Sequence, residues 1–174
     1  MARLRVMEKF LASAVIALSL AGCGFQPLYA PSNQVSAVDQ FQRIYVPIMN
    51  DRNGQEMRQA LQFRLNDSGD ETGKDLVLDV KAFIGGAGVS VQPDNSMTRI
   101  RITGSALWIL HRANDPKTLA KGSVRAIDGF DVLNGQFFGQ DLEAQAVNKR
   151  VLENMAEQIT DHLALYFKSH PKII

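Results

Sequence analysis

The feature that most constrains the fold is an alternation running from Met97 to Leu110. Ile100, Ile102, Ala106, Trp108 and Leu110 fall on one side of an extended chain, and Arg99, Arg101, Thr103 and Ser105 on the other. A period of two is that of a strand with one apolar and one polar face. Such a strand cannot bury its apolar side alone, and two further segments share its pattern. Leu76 to Ile84 sets Leu76, Leu78, Val80, Ala82 and Ile84 together, with Asp79 and Lys81 pointing the other way. Leu119 to Phe130 aligns Ala120, Val124, Ala126 and Phe130. Turn residues separate the three, Pro93-Asp94-Asn95-Ser96 and Asn114-Asp115-Pro116-Lys117. From Gly139 onward the period lengthens. Val151, Met155, Ile159, His162, Leu163 and Tyr166 share one face of a helix predicted to run to about Lys168, with Pro171 just beyond.

Upstream, Phe41 to Met49 is aromatic and β-branched and predicts a first strand, which Pro47 confines to a sheet edge or ends. Asn50 to Gly54 is a turn with a ready N-cap, and Met57, Ala60, Leu61 and Leu65 predict an amphipathic helix over Gln55–Leu65. Gly85, Gly86 and Gly88 mark a bend or bulge in the second strand. Strand, helix, three strands, helix is the order of an α+β two-layer sandwich. The expectation is an about four-stranded, mostly antiparallel sheet with two helices packed on one face, in a single domain over residues 41–170. Residues 23–40 precede it as amino terminus and tether, Ala30 to Gln40 being polar and small with a proline.

The first 22 residues have the three parts of an export signal: Arg3, Arg5 and Lys9, an apolar run from Phe10 to Leu20, then Ala21-Gly22 before Cys23. The apolar run is about half the ~20 residues of a spanning helix, which points to cleavage and not to a transmembrane anchor. Cys23 is the only cysteine, so an internal disulfide and a CxxC zinc site are excluded. Leu20-Ala21-Gly22-Cys23 resembles the bacterial lipobox, in which the cysteine thiol is acylated, the chain is cut before it and the new amino group is acylated too. An ordinary signal with a chance cysteine is the competing account. Two or more acyl chains anchor a protein stably where one does so only marginally. Lipoproteins kept in the inner membrane resemble one another in carrying Asp after the cysteine, and Gly24 stands there here. The resemblance therefore implies a lipid-anchored domain on the periplasmic side of the outer membrane. Loss of Arg3, Arg5, Lys9 and Glu8 with the signal leaves 16 basic and 17 acidic residues of the 19 and 18 in the full chain. No general attraction to nucleic acid follows, and anion binding must come from local placement of charge.

Catalytic constellations are not evident. His111, His162 and His170 have no metal-ligand spacing, no serine sits in a GxSxG elbow, and "GGAG" at 85–88 lacks the Lys-Ser/Thr of a phosphate loop. Neither an enzyme nor a cofactor is expected. One arrangement carries a binding hypothesis. Odd-numbered positions face away from the helices, so Arg99, Arg101, Lys121 and Arg125, joined by Lys81, are expected to share one open patch. Guanidinium forks suit phosphate and carboxylate groups, making these five the candidate contacts for an anionic lipid. An ordinary solvated face is the alternative, although such faces usually mix signs across strands.

"CGFQPLY", Cys23 to Tyr29, resembles the start of mature lipoproteins of the LptE (RlpB) family, where the lipidated cysteine is followed by Gly-Phe-x-Pro-Leu-Tyr or similar. The order and size of the expected elements are similar too. The resemblance implies a non-enzymatic outer-membrane protein that plugs and assists assembly of the LptD β-barrel and binds lipopolysaccharide on its way to the cell surface. In that setting Phe25, Pro27, Leu28 and Tyr29 are candidate contacts to the membrane or the barrel wall. Pro27 biases Gln26 towards an extended conformation, which suits either role or simple packing on the protein's own domain. Two other functions compete: a periplasm-facing lipoprotein auxiliary to an ABC-type lipid transport system, and a lipid-anchored enzyme or enzyme inhibitor.

Overall fold

Three strands of similar length carry the architecture. The computed structural model describes residues 37–66, 69–70, 72–91, 97–132 and 137–170, all within the unit Pro31–Ile174. In chain order the elements are α1 (Ala37–Phe41), β1 (Ile44–Tyr45), α2 (Arg52–Leu65), β2 (Leu76–Val91), β3 (Met97–Arg112), β4 (Asp115–Asp131) and α3 (Phe137–Ser169). The sheet order is β1-β2-β3-β4, with β1 parallel to β2 and the other pairs antiparallel. The expected α+β fold is observed as a four-stranded mixed open sheet with helices packed against it.

Lengths explain the match between layers. The 16 residues of β3 span ~54 Å and the 33 residues of α3 span ~50 Å, so one helix can lie along the long strands. Even-numbered side chains meet it: Leu76, Leu78, Ile102, Ala106, Trp108, Leu110, Val124, Ala126 and Phe130 are buried. Ile100, expected among them, is only half-buried. From α3 come Val147, Val151, Leu152, Met155, Ala156, Ile159, Leu163 and Ala164. Each fully buried aliphatic side chain of this size contributes about 1.5–3 kcal/mol.

The buried surface of α3 is wider than its sequence pattern predicts. Val151 and Met155 meet the sheet at Gly104, while Leu152 lies beside Ala60 and Phe63 of α2. Two partners demand two apolar seams. Arg52 bonds to Gln145 at 3.4 Å and Arg64 to Glu157 at 3.2 Å, each pair 93 residues apart, so α2 and α3 run parallel in a constant register. His162, assigned to the buried face, is exposed, with its ring centroid 6.1 Å from that of Trp108.

Four boundaries differ from expectation. Phe41 is no strand residue: it ends α1 and packs edge-on against Phe167, ring centroids 6.3 Å apart. The strand predicted over Phe41–Met49 shrinks to Ile44–Tyr45 at the sheet edge. Pro47 has no N–H for a ladder, and beyond Tyr45 the Val46 carbonyl accepts instead from Arg58 Nε at 2.9 Å. Folded structure begins within the stretch read as tether, since α1 starts at Ala37 and Gln40 is buried. Helix α2 starts at Arg52, three residues before Gln55, because the Asp51 carboxylate accepts from the Gly54 N–H at 3.2 Å. Strand β4 starts at Asp115, not Leu119, and leaves only Ala113-Asn114 as the turn. The edge position of β4 tolerates Pro116. The turn expected at 93–96 lies outside the described residues.

Candidate functional site

The sheet face opposite the helices is the candidate site, and its composition follows from register. Reading across β2, β3 and β4, the aligned sets are Asp79–Ile109–Lys121, Lys81–Leu107–Ser123, Phe83–Ser105–Arg125, Gly85–Thr103–Ile127 and Ala87–Arg101–Gly129, then Arg99 beside Asp131. All five candidate cations lie on this face and are exposed. They do not form one cluster. Lys121 and Arg101 are eight residues apart along β3, ~27 Å.

At one end, Arg99 Nη1 bonds to Asp131 Oδ1 at 2.9 Å. The mixing of signs that seemed absent from the sequence is present there. Arg101 lines a shallow depression of about 320 Å³ with Arg99, Ile127, Asp128 and Gly129. Asp128 is tied to α3 by Arg150 Nε at 2.7 Å, and that bond, aided by the Gly129 N–H, holds its carboxyl below the usual carboxylate range.

The other end has a different character. Leu107, 57% exposed, has Lys81 and Ser123 directly opposite it and Asp79, Phe83, Lys121 and Arg125 on its diagonals, Asp79 being engaged by His111. Among the described residues, the Lys81, Lys121 and Arg125 side chains have no ion-pair partner. Phe83, Ile109 and Ile127 are also exposed, at 60%, 42% and 55%. A sheet face with apolar side chains at its centre and cations around them is matched to a ligand that is both acyl and anionic. Sequence reasoning missed these apolar members. The signal was present, because Ala106 to Leu110 is apolar at every position, odd as well as even.

His111 is the penultimate residue of β3. Its Nε2 lies 3.1 Å from Asp79 Oδ2 and its Nδ1 2.9 Å from the Arg112 carbonyl. Gly85 to Gly88 stay within β2, with a register irregularity after Gly88 and no helix start. Among the described residues no group of three or more His, Cys, Asp or Glu could hold a metal, and no helix is long and apolar enough to cross a membrane. Cys23, Phe25, Pro27, Leu28 and Tyr29 lie outside the described residues.

Fold and face together define an α+β module with one covered and one open, amphipathic sheet surface. The family model described as lipopolysaccharide-assembly, LptE, matches residues 41–163, and the chain belongs to that family of envelope lipoproteins. Solved lipoprotein structures share the fold. One from Caulobacter crescentus is 16% identical with a TM-score of 0.63, the alignment covering 76% of this chain and 96% of that one. Rare lipoprotein B from Shewanella oneidensis is 11% identical, with a TM-score of 0.56 and coverage of 72% and 95%. Lipoprotein B from Nitrosomonas europaea is 14% identical, with a TM-score of 0.58 and coverage of 84% and 97%. No curated protein sequence matches the chain significantly.

Proposed function

We propose that this lipopolysaccharide-assembly lipoprotein is anchored by acyl groups on Cys23 at the periplasmic side of the outer membrane. There it plugs and assists assembly of an LptD-type β-barrel and binds lipopolysaccharide in transit, without catalysis or a cofactor. Family membership supports the transport role. The observation that carries the ligand reading is Leu107, exposed among Lys81, Lys121 and Arg125 on a face that no described element covers. Acyl chains meet the apolar side chains while phosphates meet the cations. Arg99 belongs less to this contact, because Asp131 already neutralises it.

Purification of the tagged, acylated chain from outer membranes tests the assignment. A stoichiometric β-barrel partner is expected. Recovery without any barrel protein overturns the plug reading in favour of the ABC-type auxiliary.

A further inference from the structure

The two edges of the sheet are built differently. Strand β4 carries Asp115, Lys117, Lys121, Arg125, Asp128 and Asp131, with Pro116 near its start. Charges and proline are the means by which proteins discourage a sheet edge from pairing with another chain. The outer edge of β2 lacks that protection beyond Lys81. Among the described residues it is paired only at Leu76 and Val77, by β1. From Ala82 to Val91 it contains neither a charge nor a proline, and Phe83 is 60% exposed.

Gly85 sharpens the contrast. A Cβ there would meet nothing within 4 Å, and its φ is not positive, so nothing in the described structure requires glycine at that position. Glycine inside a strand commonly marks close approach by another backbone.

We propose that a second copy of this chain pairs antiparallel with this edge about a two-fold axis at Gly85, giving a continuous sheet β4-β3-β2-β2-β3-β4. The occupant follows from the segment itself. Ala82 to Gly88 reads Ala-Phe-Ile-Gly-Gly-Ala-Gly, large in its first half and small in its second. Two-fold pairing sets Phe83 opposite Ala87 and Ile84 opposite Gly86, so each large side chain meets a small one on its own face of the sheet. The two Lys81 residues stand at opposite ends of the ladder, ~27 Å apart, and do not repel. The same operation on β4 about Ser123 opposes Lys121 to Arg125, which disfavours that edge. The ladder also ends before the irregularity that follows Gly88. This pairing is independent of the barrel reading and describes the chain outside any barrel complex.

The oligomeric state of the full acylated chain in mild detergent, measured by sedimentation, tests the proposal. A dimer is expected, with a disulfide linking two copies of Gly85→Cys on oxidation. Gly85→Asp places like charges at the axis and weakens dimerisation about tenfold or more, while the circular dichroism spectrum stays that of the folded chain. Arg125→Glu on the opposite edge leaves the dimer intact. A monomeric wild type, a dimer insensitive to Gly85→Asp, separation by Arg125→Glu, or no disulfide-linked dimer from Gly85→Cys would each overturn it.

Discussion

Gly104 of β3 lies directly beneath Val151 of α3: a methyl group on its Cα would stand 2.5 Å from Val151 Cγ1 and 2.8 Å from Met155 Cε. The contact sets how closely the long helix can approach the sheet. Gly104→Ala is therefore expected to destabilise the domain by about 1–3 kcal/mol through overpacking. Val151→Ala in the same chain should restore part of that loss, and a double-mutant cycle from denaturant unfolding measures the coupling. Strict additivity of the two changes would refute the contact.

Arg43 reaches Asp75 with both Nε, at 2.8 Å from Oδ1, and Nη2. The hydrogen bond from Arg43 holds the Asp75 carboxyl below its ordinary range, as Arg150 does for Asp128. A depressed carboxylate contributes stability above its unfolded pKa, about 3.9, and loses it as pH falls through the lower folded value. Tm should thus hold steady from neutrality to about pH 4 and fall below that. With Asp75 41% exposed, Asp75→Asn is expected to cost only about 0.5–1 kcal/mol at pH 7 after solvent screening. Calorimetry on the double variant with Asp128→Asn should show a flatter acid limb; an unchanged limb assigns acid sensitivity elsewhere.

Lipid binding by the open face can be divided by residue. Lys81→Glu, Lys121→Glu and Arg125→Glu together should weaken binding of purified protein to lipopolysaccharide by about tenfold or more, with a strong salt dependence in the wild type. Leu107→Asp should act similarly at no cost to the core, since the side chain is exposed. Arg99→Glu should matter less. Equal affinity in the triple variant and the wild type rules the face out as the ligand surface.

The amino-terminal hexapeptide has its own test. Phe25→Ser with Tyr29→Ser is expected to reduce recovery of a barrel complex while leaving the domain's Tm unchanged. A drop in Tm instead would mean that the segment packs on its own domain.

If acyl chains on Cys23 supply the anchor, at ~0.8 kcal/mol per buried CH₂, replacing Cys23 with Ala should block acylation and move the chain out of the membrane fraction. Mass spectrometry of the processed amino terminus checks the same point directly.

Much of the covered sheet face was legible in the sequence. Leu78, Val80, Ala106, Trp108, Val124 and Phe130 recur at every second position of their strands, and all are buried in the structure. The open face was read only in part. Lys81, Arg101, Lys121 and Arg125 were assigned to it, but the apolar positions between them were passed over, and the five cations were grouped without knowledge of spacing. Strand register decides spacing, and a shift of two residues moves a side chain by ~7 Å without altering any alternation.

Local backbone geometry fixes which way a side chain points, so the amino-acid order by itself determined the strand faces, the change to helical period after Gly139 and the α+β class. It alone also carries the proposed processing signal at Cys23 and the segment Gly24 to Tyr29, whose chemistry depends on identity and position. Only tertiary structure decided that α3 needs a second apolar seam for α2 and that the first strand is two residues long and parallel. It also decided that Leu107, and not the pair Arg99 and Arg101, lies at the centre of the cationic surface. These depend on which distant segments become neighbours, and no period within a single segment encodes that.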